Sequence, residues 1–222
     1  MNDDLPDWYT WHAPYDQPGS ALRRRLDIVQ GHVRSWLRDN QRAPVRVVSA
    51  CAGQGRDLLE VLADVPGAEA VRVRMVELDR DNAAVAERAA RAAGLDGVEV
   101  VCGDAGRIDA YLGAVPADLV MLCGVFGNIS DDDVHQTINL LPQLCGPGAV
   151  VIWTRSRRRP DLTPTIRAWF AETRFVERSF DAPSDALFSV GVHQFVGQPQ
   201  VPEPGRQMFR FVDPVTNRSP IG

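Results

Sequence analysis

Two glycines and two carboxylates in this chain have types and positions that suit the binding of a polar organic ligand. Gly53 and Gly55 follow a valine-rich run that begins at Val45, and they precede an apolar helical pattern. Glycine lets the backbone approach a ligand closely, and free N–H groups at the start of a helix can donate hydrogen bonds to it. Glu77 and Asp104 end two later strand-like segments, and carboxylates accept hydrogen bonds from hydroxyl and amine groups. These positions predict a ligand site at the ends of neighbouring strands.

The glycine pair alone does not identify the ligand. The dinucleotide fingerprint G-x-G-x-x-G requires a third glycine, where this chain has Leu58. The phosphate-binding loop G-x-x-x-x-G-K-[ST] is absent, and the chain contains no lysine. A tight turn between a strand and a helix, with no ligand, is the structural alternative to a binding loop.

The segments around the glycines predict alternating strands and helices. This alternation favours an α/β fold, with a parallel sheet covered by helices on both faces. Ser20 is expected to cap a helix that runs to about Arg38. Another helix is expected from about Asp81 to Ala93, with Gly94 ending it. Strands are expected from residue 45 to the glycines and over residues 71–79, 98–104, 117–124 and 148–153.

This series resembles the class I S-adenosylmethionine-dependent methyltransferases over roughly residues 45–153. The family's first motif, acid-x-G-x-G-x-G, falls on Ser49, Cys51, Gly53 and Gly55, so serine replaces the acid and cysteine replaces the first glycine. The resemblance implies a single Rossmann-like methyltransferase domain. It would have a seven-stranded, mostly parallel sheet with an antiparallel last strand, helices on both faces and an extra N-terminal helix.

Further motifs follow in the order that the family has them. Glu77 and Asp104 stand where the family has acids at the ends of the second and third strands. Residues 118–128 resemble strand four with its loop, and residues 144–148 resemble the turn into strand five. The final strand pair is expected over residues 174–180 and 187–196, and residues 208–212 could add an edge strand.

The resemblance implies S-adenosylmethionine as the cofactor and S-adenosylhomocysteine as the product. Glu77 is expected to hold the ribose hydroxyls, and Asp104 the adenine amine, with the Ala105 N–H facing a ring nitrogen. The backbone of residues 52–55 is expected to hold the amino-acid tail. Asp79 is a rival to Glu77, but it is expected to cap the following helix. The predicted cofactor-binding residues are Ser49, Ala52, Gly53, Gln54, Gly55, Glu77, Leu78, Asp104, Ala105 and Cys123.

The N-terminal segment and two loops supply the candidates for contact with the methyl acceptor. Residues 8–19 are aromatic and proline-rich, and they either cover the cofactor or pack the first helix on the sheet. His12 is the candidate general base, and Asn128 is the second catalytic candidate, able to orient an acceptor but not to act as a base. The arginines at 155–159 either hold an anionic acceptor or form a solvated charge run. The predicted acceptor-binding residues are Trp11, Tyr15, Phe126 and Arg155.

Composition limits the partners and the compartment. The 222 residues carry a formal net charge of −5, which argues against broad nucleic-acid binding. No apolar run approaches the ~20 residues that span a membrane, and the acidic, polar start does not resemble a signal peptide. We therefore expect a cytoplasmic protein with a small-molecule substrate and no nucleic-acid or membrane partner. The four cysteines include no C-x-x-C pair, so no metal site is expected.

One structural domain is expected, with an aromatic cover and helix over residues 1–40 and the methyltransferase part over residues 41–222. The predicted function is methyl transfer from S-adenosylmethionine to a small-molecule acceptor. The alternative is a nucleotide- or dinucleotide-binding Rossmann-like protein, either an oxidoreductase or a non-catalytic cofactor-binding module. Asp104 and the missing third glycine favour the methyltransferase.

Overall fold

The valine-rich segments form one seven-stranded sheet, which is the middle layer of the protein. The computed structural model describes residues 15, 17, 19–40 and 44–212. The strands are β1 (Val45–Ala50), β2 (Val71–Glu77), β3 (Val98–Cys102), β4 (Ala117–Leu122), β5 (Cys145–Ser156), β6 (Phe175–Asp181) and β7 (Phe188–Phe195).

Five α-helices lie between or before these strands. They are α1 (Ala21–Asp39), α2 (Leu59–Asp64), α3 (Arg80–Ala92), α4 (Asp131–Leu140) and α5 (Thr163–Glu172). Short 3₁₀ turns cover Ala68–Ala70, Ile108–Tyr111 and Leu141–Gln143.

The strand order places a crevice at the end of β1. The sheet runs β3-β2-β1-β4-β5-β7-β6, with β1 to β5 parallel and β7 antiparallel to both β5 and β6. The predicted seven-stranded, mostly parallel sheet is therefore confirmed. Because β1 pairs with β2 on one side and β4 on the other, the chain's direction of progress reverses there. Ligands of open α/β sheets bind at this switch point, beyond the carboxyl ends of the strands.

Successive side chains of the strands point to opposite faces, and each face has its own apolar cluster. Val47 packs with Val33 of α1 and with residues of α2 and α3 on one face. Val48 packs with Ile138 of α4 and with residues of α5 on the other. Each fully buried side chain of this size contributes about 1.5–3 kcal/mol, so the two clusters hold the helices on both faces, as predicted.

Helix boundaries follow the capping residues that the sequence indicates. Ser20 accepts a hydrogen bond from the Arg23 N–H at the start of α1, and Asp79 accepts one from the Asn82 N–H at the start of α3. Residues 208–212 do not form the expected edge strand. Only two isolated bridges occur in this part of the described chain, Arg107 with Gln207 and Ile129 with Phe211. No helix in the described ranges is long and apolar enough to cross a membrane.

Candidate functional site

The loops that follow β1, β2, β3 and β4 meet at the switch point, and the loop after β1 has a glycine-type backbone. Cys51, Gly53 and Gly55 have φ angles of 54°, 56° and 76°. A Cβ on Gly55 would lie 2.5 Å from Met75 Cε and 2.7 Å from Leu59 Cδ1. A side chain at residue 55 would therefore displace the side chains of Met75 and Leu59 in addition to its unfavourable φ. Cys51 has the left-handed conformation that favours glycine.

Glu77, at the end of β2, is bonded into this loop. Its Oε2 accepts from the Gly53 N–H at 2.7 Å, and its Oε1 accepts from the Asp79 N–H at 2.9 Å. The side chain is largely buried. Each carboxylate oxygen has a second acceptor site, so Glu77 can hold the loop and still accept from two hydroxyl groups. Leu78 beside it is 65% exposed, which leaves an apolar side chain at the rim.

Asp104, after β3, has different surroundings. The residue is exposed, and its Oδ1 accepts from the Gly106 N–H at 2.8 Å. Its Oδ2 accepts from Gln207 Nε2 at 3.3 Å. Ala105 is buried, and its carbonyl accepts from the Tyr111 hydroxyl at 2.7 Å. Asp104 is thus held in place but remains open to a ligand.

A polar cluster beside the loop after β1 joins the predicted residues Cys123 and Tyr15 to Asp57 and Arg25, which the sequence analysis did not select. The Cys123 thiol donates to the Asp57 carboxylate, and burial raises the pKa of Asp57 to about 6. Asp57 Oδ1 is buried and has no hydrogen-bond partner among the described residues. Arg25 of α1 faces the same carboxylate and donates from Nη2 to the Tyr15 hydroxyl at 2.6 Å. Burial raises the pKa of Tyr15.

The position of Asp57, two residues after Gly55, was visible in the sequence. What the sequence did not show is that this carboxylate is buried and that α1 brings an arginine to it. Gln30 of α1 explains the approach, because its Nε2 donates to the Arg56 carbonyl at 2.8 Å and to Glu60 Oε2 at 2.7 Å. The helix is thereby fixed against the glycine loop, and Ser49, buried at the end of β1, lies under the same loop.

The loop after β4 contains the other predicted residues. Asn128 Nδ2 donates to the Gly124 carbonyl at 2.6 Å, and the Gly124 N–H donates to Thr154 Oγ1 at 2.9 Å. Arg155 donates to the Phe126 carbonyl and, at 3.1 Å, to Asp131 Oδ1. Asn128 and Arg155 therefore brace this loop.

Phe126 and the arginine cluster are placed differently from the sequence expectation. The Phe126 ring is fully buried against Trp153 and Phe170, so it belongs to the core rather than to an open acceptor pocket. Arg157 donates from Nη2 to the carbonyls of Pro183 and Ala186 in the β6–β7 connection, and from Nε to the carbonyl of Phe188 at the start of β7. These bonds direct its guanidinium to the chain carbonyls. Trp11 and His12 lie outside the described residues. Within the described ranges no cluster of possible metal ligands occurs.

A family model described as "Putative methyltransferase" matches residues 21–175, which is more than half of the chain. The chain belongs to this family. Its cofactor is S-adenosylmethionine, and it is a methyltransferase. No curated protein matches the sequence.

Solved structures share the fold of this methyltransferase. Magnesium protoporphyrin IX methyltransferase from Synechocystis PCC 6803, with bound S-adenosylmethionine, superposes with a TM-score of 0.66 at 13% identity, covering 86% of this chain and 92% of that one. A possible exported protein from Bordetella parapertussis has a TM-score of 0.64 at 21% identity, covering 85% and 79%. An O-methyltransferase family protein from Burkholderia thailandensis has a TM-score of 0.61 at 18% identity, covering 78% and 55%.

Proposed function

We propose that this methyltransferase binds the amino-acid tail of S-adenosylmethionine at Asp57 and Arg25 and transfers the methyl group to a small-molecule acceptor. The observation that carries the proposal is the buried Asp57 Oδ1, which has no partner in the described chain, beside the guanidinium of Arg25. An ammonium and a carboxylate on one carbon complement such a pair. In a dinucleotide, the negatively charged pyrophosphate would instead lie against the buried Asp57 carboxylate. The repulsion between these two anions disfavours the dinucleotide alternative.

The rest of the cofactor matches the neighbouring strand ends. Glu77 has one remaining acceptor site on each oxygen for the ribose hydroxyls, and Asp104 has an exposed carboxylate for the adenine amine. Leu78 offers an exposed apolar side chain for the flat base. The fixed N–H groups and carbonyls of residues 52–55 support the tail. Ala105, Gln54 and Cys123 complete the proposed cofactor contacts.

The cofactor supplies an activated methyl group on a sulfonium, so the protein's contribution is alignment and exclusion of water. We propose that Asn128 fixes the loop after β4 at the acceptor side, through its bond to the Gly124 carbonyl. Tyr15 places the end of the N-terminal segment over Arg25. Trp11 and His12, a few residues earlier, are proposed acceptor contacts, with His12 as the general base for a hydroxyl acceptor. Arg155 is proposed to act through the Phe126–Asp131 loop that it braces.

A small acceptor is supported by charge. The formal net charge of −5 opposes a polyanionic substrate such as RNA. No segment of the described chain forms a second domain for recognising a macromolecule. Together with the small acceptor, we propose a cytoplasmic location and no nucleic-acid partner. The acidic net charge is in keeping with both.

Calorimetry with S-adenosylmethionine, S-adenosylhomocysteine and NAD tests the cofactor assignment. Binding of the first two without NAD is expected, and binding of NAD alone would overturn the proposal. Methyl-labelled cofactor should then be incubated with pooled small metabolites, total RNA and a protein extract. Label in the small-molecule fraction is expected. Label found only in RNA or protein would leave a methyltransferase but refute the small acceptor.

A further inference from the structure

A segment beyond the last strand joins two loops of the candidate site. Residues 203–212, which we call the C-terminal strap, lie outside the 21–175 match to the family model. Met208 and Phe209 in this strap are fully buried in the cluster that contains α4 and α5. The strap is therefore anchored in the core through these two residues.

One end of the strap reaches the carboxylate proposed to bind adenine. Gln207 Nε2 donates to Asp104 Oδ2 at 3.3 Å and to the Phe209 carbonyl at 2.6 Å. Since the Gly106 N–H binds Oδ1 at 2.8 Å, both oxygens of Asp104 are held. An exposed carboxylate held at both oxygens cannot rotate freely about its side-chain bonds.

Gly106 permits this approach. The Met208 N–H donates to the Gly106 carbonyl at 2.6 Å. A Cβ on Gly106 would lie 2.2 Å from the Phe209 carbonyl oxygen and 2.8 Å from Gln207 Nε2. A side chain at residue 106 would therefore push the strap, and with it Gln207, away from Asp104.

The other end of the strap reaches the loop after β4. The Val212 N–H donates to the Asn128 carbonyl at 3.0 Å. Between the two ends, Gln136 Nε2 of α4 donates to the carbonyls of Gln207 and Met208 at 2.9 and 3.0 Å. The strap is thus fixed to α4 at Gln207 and Met208, which holds Gln207 in place.

We propose that Gln207 is a positioning residue that orients Asp104 for recognition of the exocyclic amine of adenine. This inference rests on the proposed cofactor site. Asp104 accepts from the amine only when its carboxylate keeps the direction that Gln207 and the Gly106 N–H impose. The strap therefore sets selectivity for adenine over a base with an oxygen at that position, because an oxygen there would face the carboxylate without a proton to share.

The test compares S-adenosylhomocysteine with its inosine analogue, in which a carbonyl oxygen replaces the amine. In the wild type, S-adenosylhomocysteine is expected to bind about tenfold or more tightly than the analogue. In Gln207→Leu this ratio should fall severalfold, through weaker binding of S-adenosylhomocysteine, while the affinity for the analogue stays nearly constant. Gln198→Leu, which changes an exposed glutamine before the strap, is the matched control and should keep the wild-type ratio.

Three outcomes separate the possibilities. If the wild type binds neither ligand, the proposed cofactor site itself fails. If the wild type discriminates and Gln207→Leu discriminates equally, or loses both ligands in proportion, Gln207 does not orient Asp104 and the inference is overturned. Asp104→Asn supplies a second check. In a protein that already carries Asp104→Asn, adding Gln207→Leu should not change the ratio of the two affinities further. Gly106→Ala should reproduce the loss of selectivity, with thermal unfolding recorded for each variant to confirm folding.

Discussion

Glu77 and Asp104 end neighbouring strands and are both proposed to hold the cofactor, yet the protein fixes them by different means. Glu77 is buried and accepts from two N–H groups that lie within 24 residues of it, in the loops after β1 and β2. Asp104 is exposed, and one of its two partners, Gln207, is 103 residues away. The half of the site around Glu77, which we call the glycine-loop half, is therefore built into the sheet. The half around Asp104, the strap half, depends on a segment that follows the last strand.

The largest difference between the halves should appear on replacing Glu77. In Glu77→Ala the N–H groups of Gly53 and Asp79 lose their acceptors, so the free energy of unfolding should fall by roughly 2–4 kcal/mol. The affinity for S-adenosylmethionine should fall at least tenfold. Denaturant titration and calorimetry measure the two effects. Glu69→Ala, which changes an exposed acid in the 3₁₀ turn before β2, is the control. A Glu77→Ala protein of wild-type stability would contradict the structural role.

Asp57 should make cofactor binding depend on pH. Its pKa, raised by burial to about 6, means that the folded protein binds a proton between pH 6 and the usual carboxyl range. Lower pH therefore favours the folded state through this residue, but removes the charge that an ammonium requires. Affinity for S-adenosylmethionine should drop about tenfold from pH 7 to pH 5 and level off above pH 7. Asp57→Asn should bind weakly with a flat profile; an unchanged profile would exclude Asp57 as the partner.

Replacing Asp104 should lower the affinity for the cofactor with little effect on stability, whereas replacing Glu77 should lower both. Because Asp104 is exposed, Asp104→Ala should change the free energy of unfolding by less than about 1 kcal/mol. The affinity for S-adenosylmethionine should still fall about tenfold. Asp96→Ala is a suitable exposed control. A large loss of stability in Asp104→Ala would show that both carboxylates stabilise the fold. It would contradict the proposed difference between Asp104 and Glu77.

The smallest effect concerns Cys51, whose φ of 54° is unfavourable for any residue with a Cβ. Cys51→Gly should be more stable than Cys51→Ala by about 1 kcal/mol, since both lose the thiol and only alanine keeps the backbone strain. Ala52, which has no positive φ, provides the reversed control. Ala52→Gly should destabilise, and equal stabilities of the two Cys51 variants would show that this loop relaxes.

The sequence predicted the glycine-loop half because its signals are local. A valine-rich strand, two glycines and an acid at the end of the next strand all lie within about 30 residues of one another. The parallel sheet then brings them together in space. Cys51 shows the same logic, since it occupies a motif position for glycine and has the corresponding backbone. The cap at Asp79 follows from its place before a helix.

The strap half and the Asp57 cluster could not be predicted, because their contacts join distant segments without periodic patterns. Residues 208–212 were expected to add an edge strand, but among them only Phe211 forms an isolated bridge, to Ile129, and Gln207 just before them forms one to Arg107. No sequence pattern singled out Asp57, because only the fold places Arg25 and Cys123 beside it. The sequence left Arg157 either in contact with an anionic acceptor or solvated, whereas in the structure its Nη2 donates to chain carbonyls after β6.

The strap also has a consequence for biosynthesis. Met208 and Phe209 lie 13 and 14 residues after Phe195, the last residue of β7, and they cover apolar surface of the cluster that contains α4 and α5. A premature stop codon between β7 and Gln207 would therefore produce a chain that has every strand of the sheet but leaves that apolar surface open to water. Such a truncated chain would be prone to aggregate and to bind chaperones.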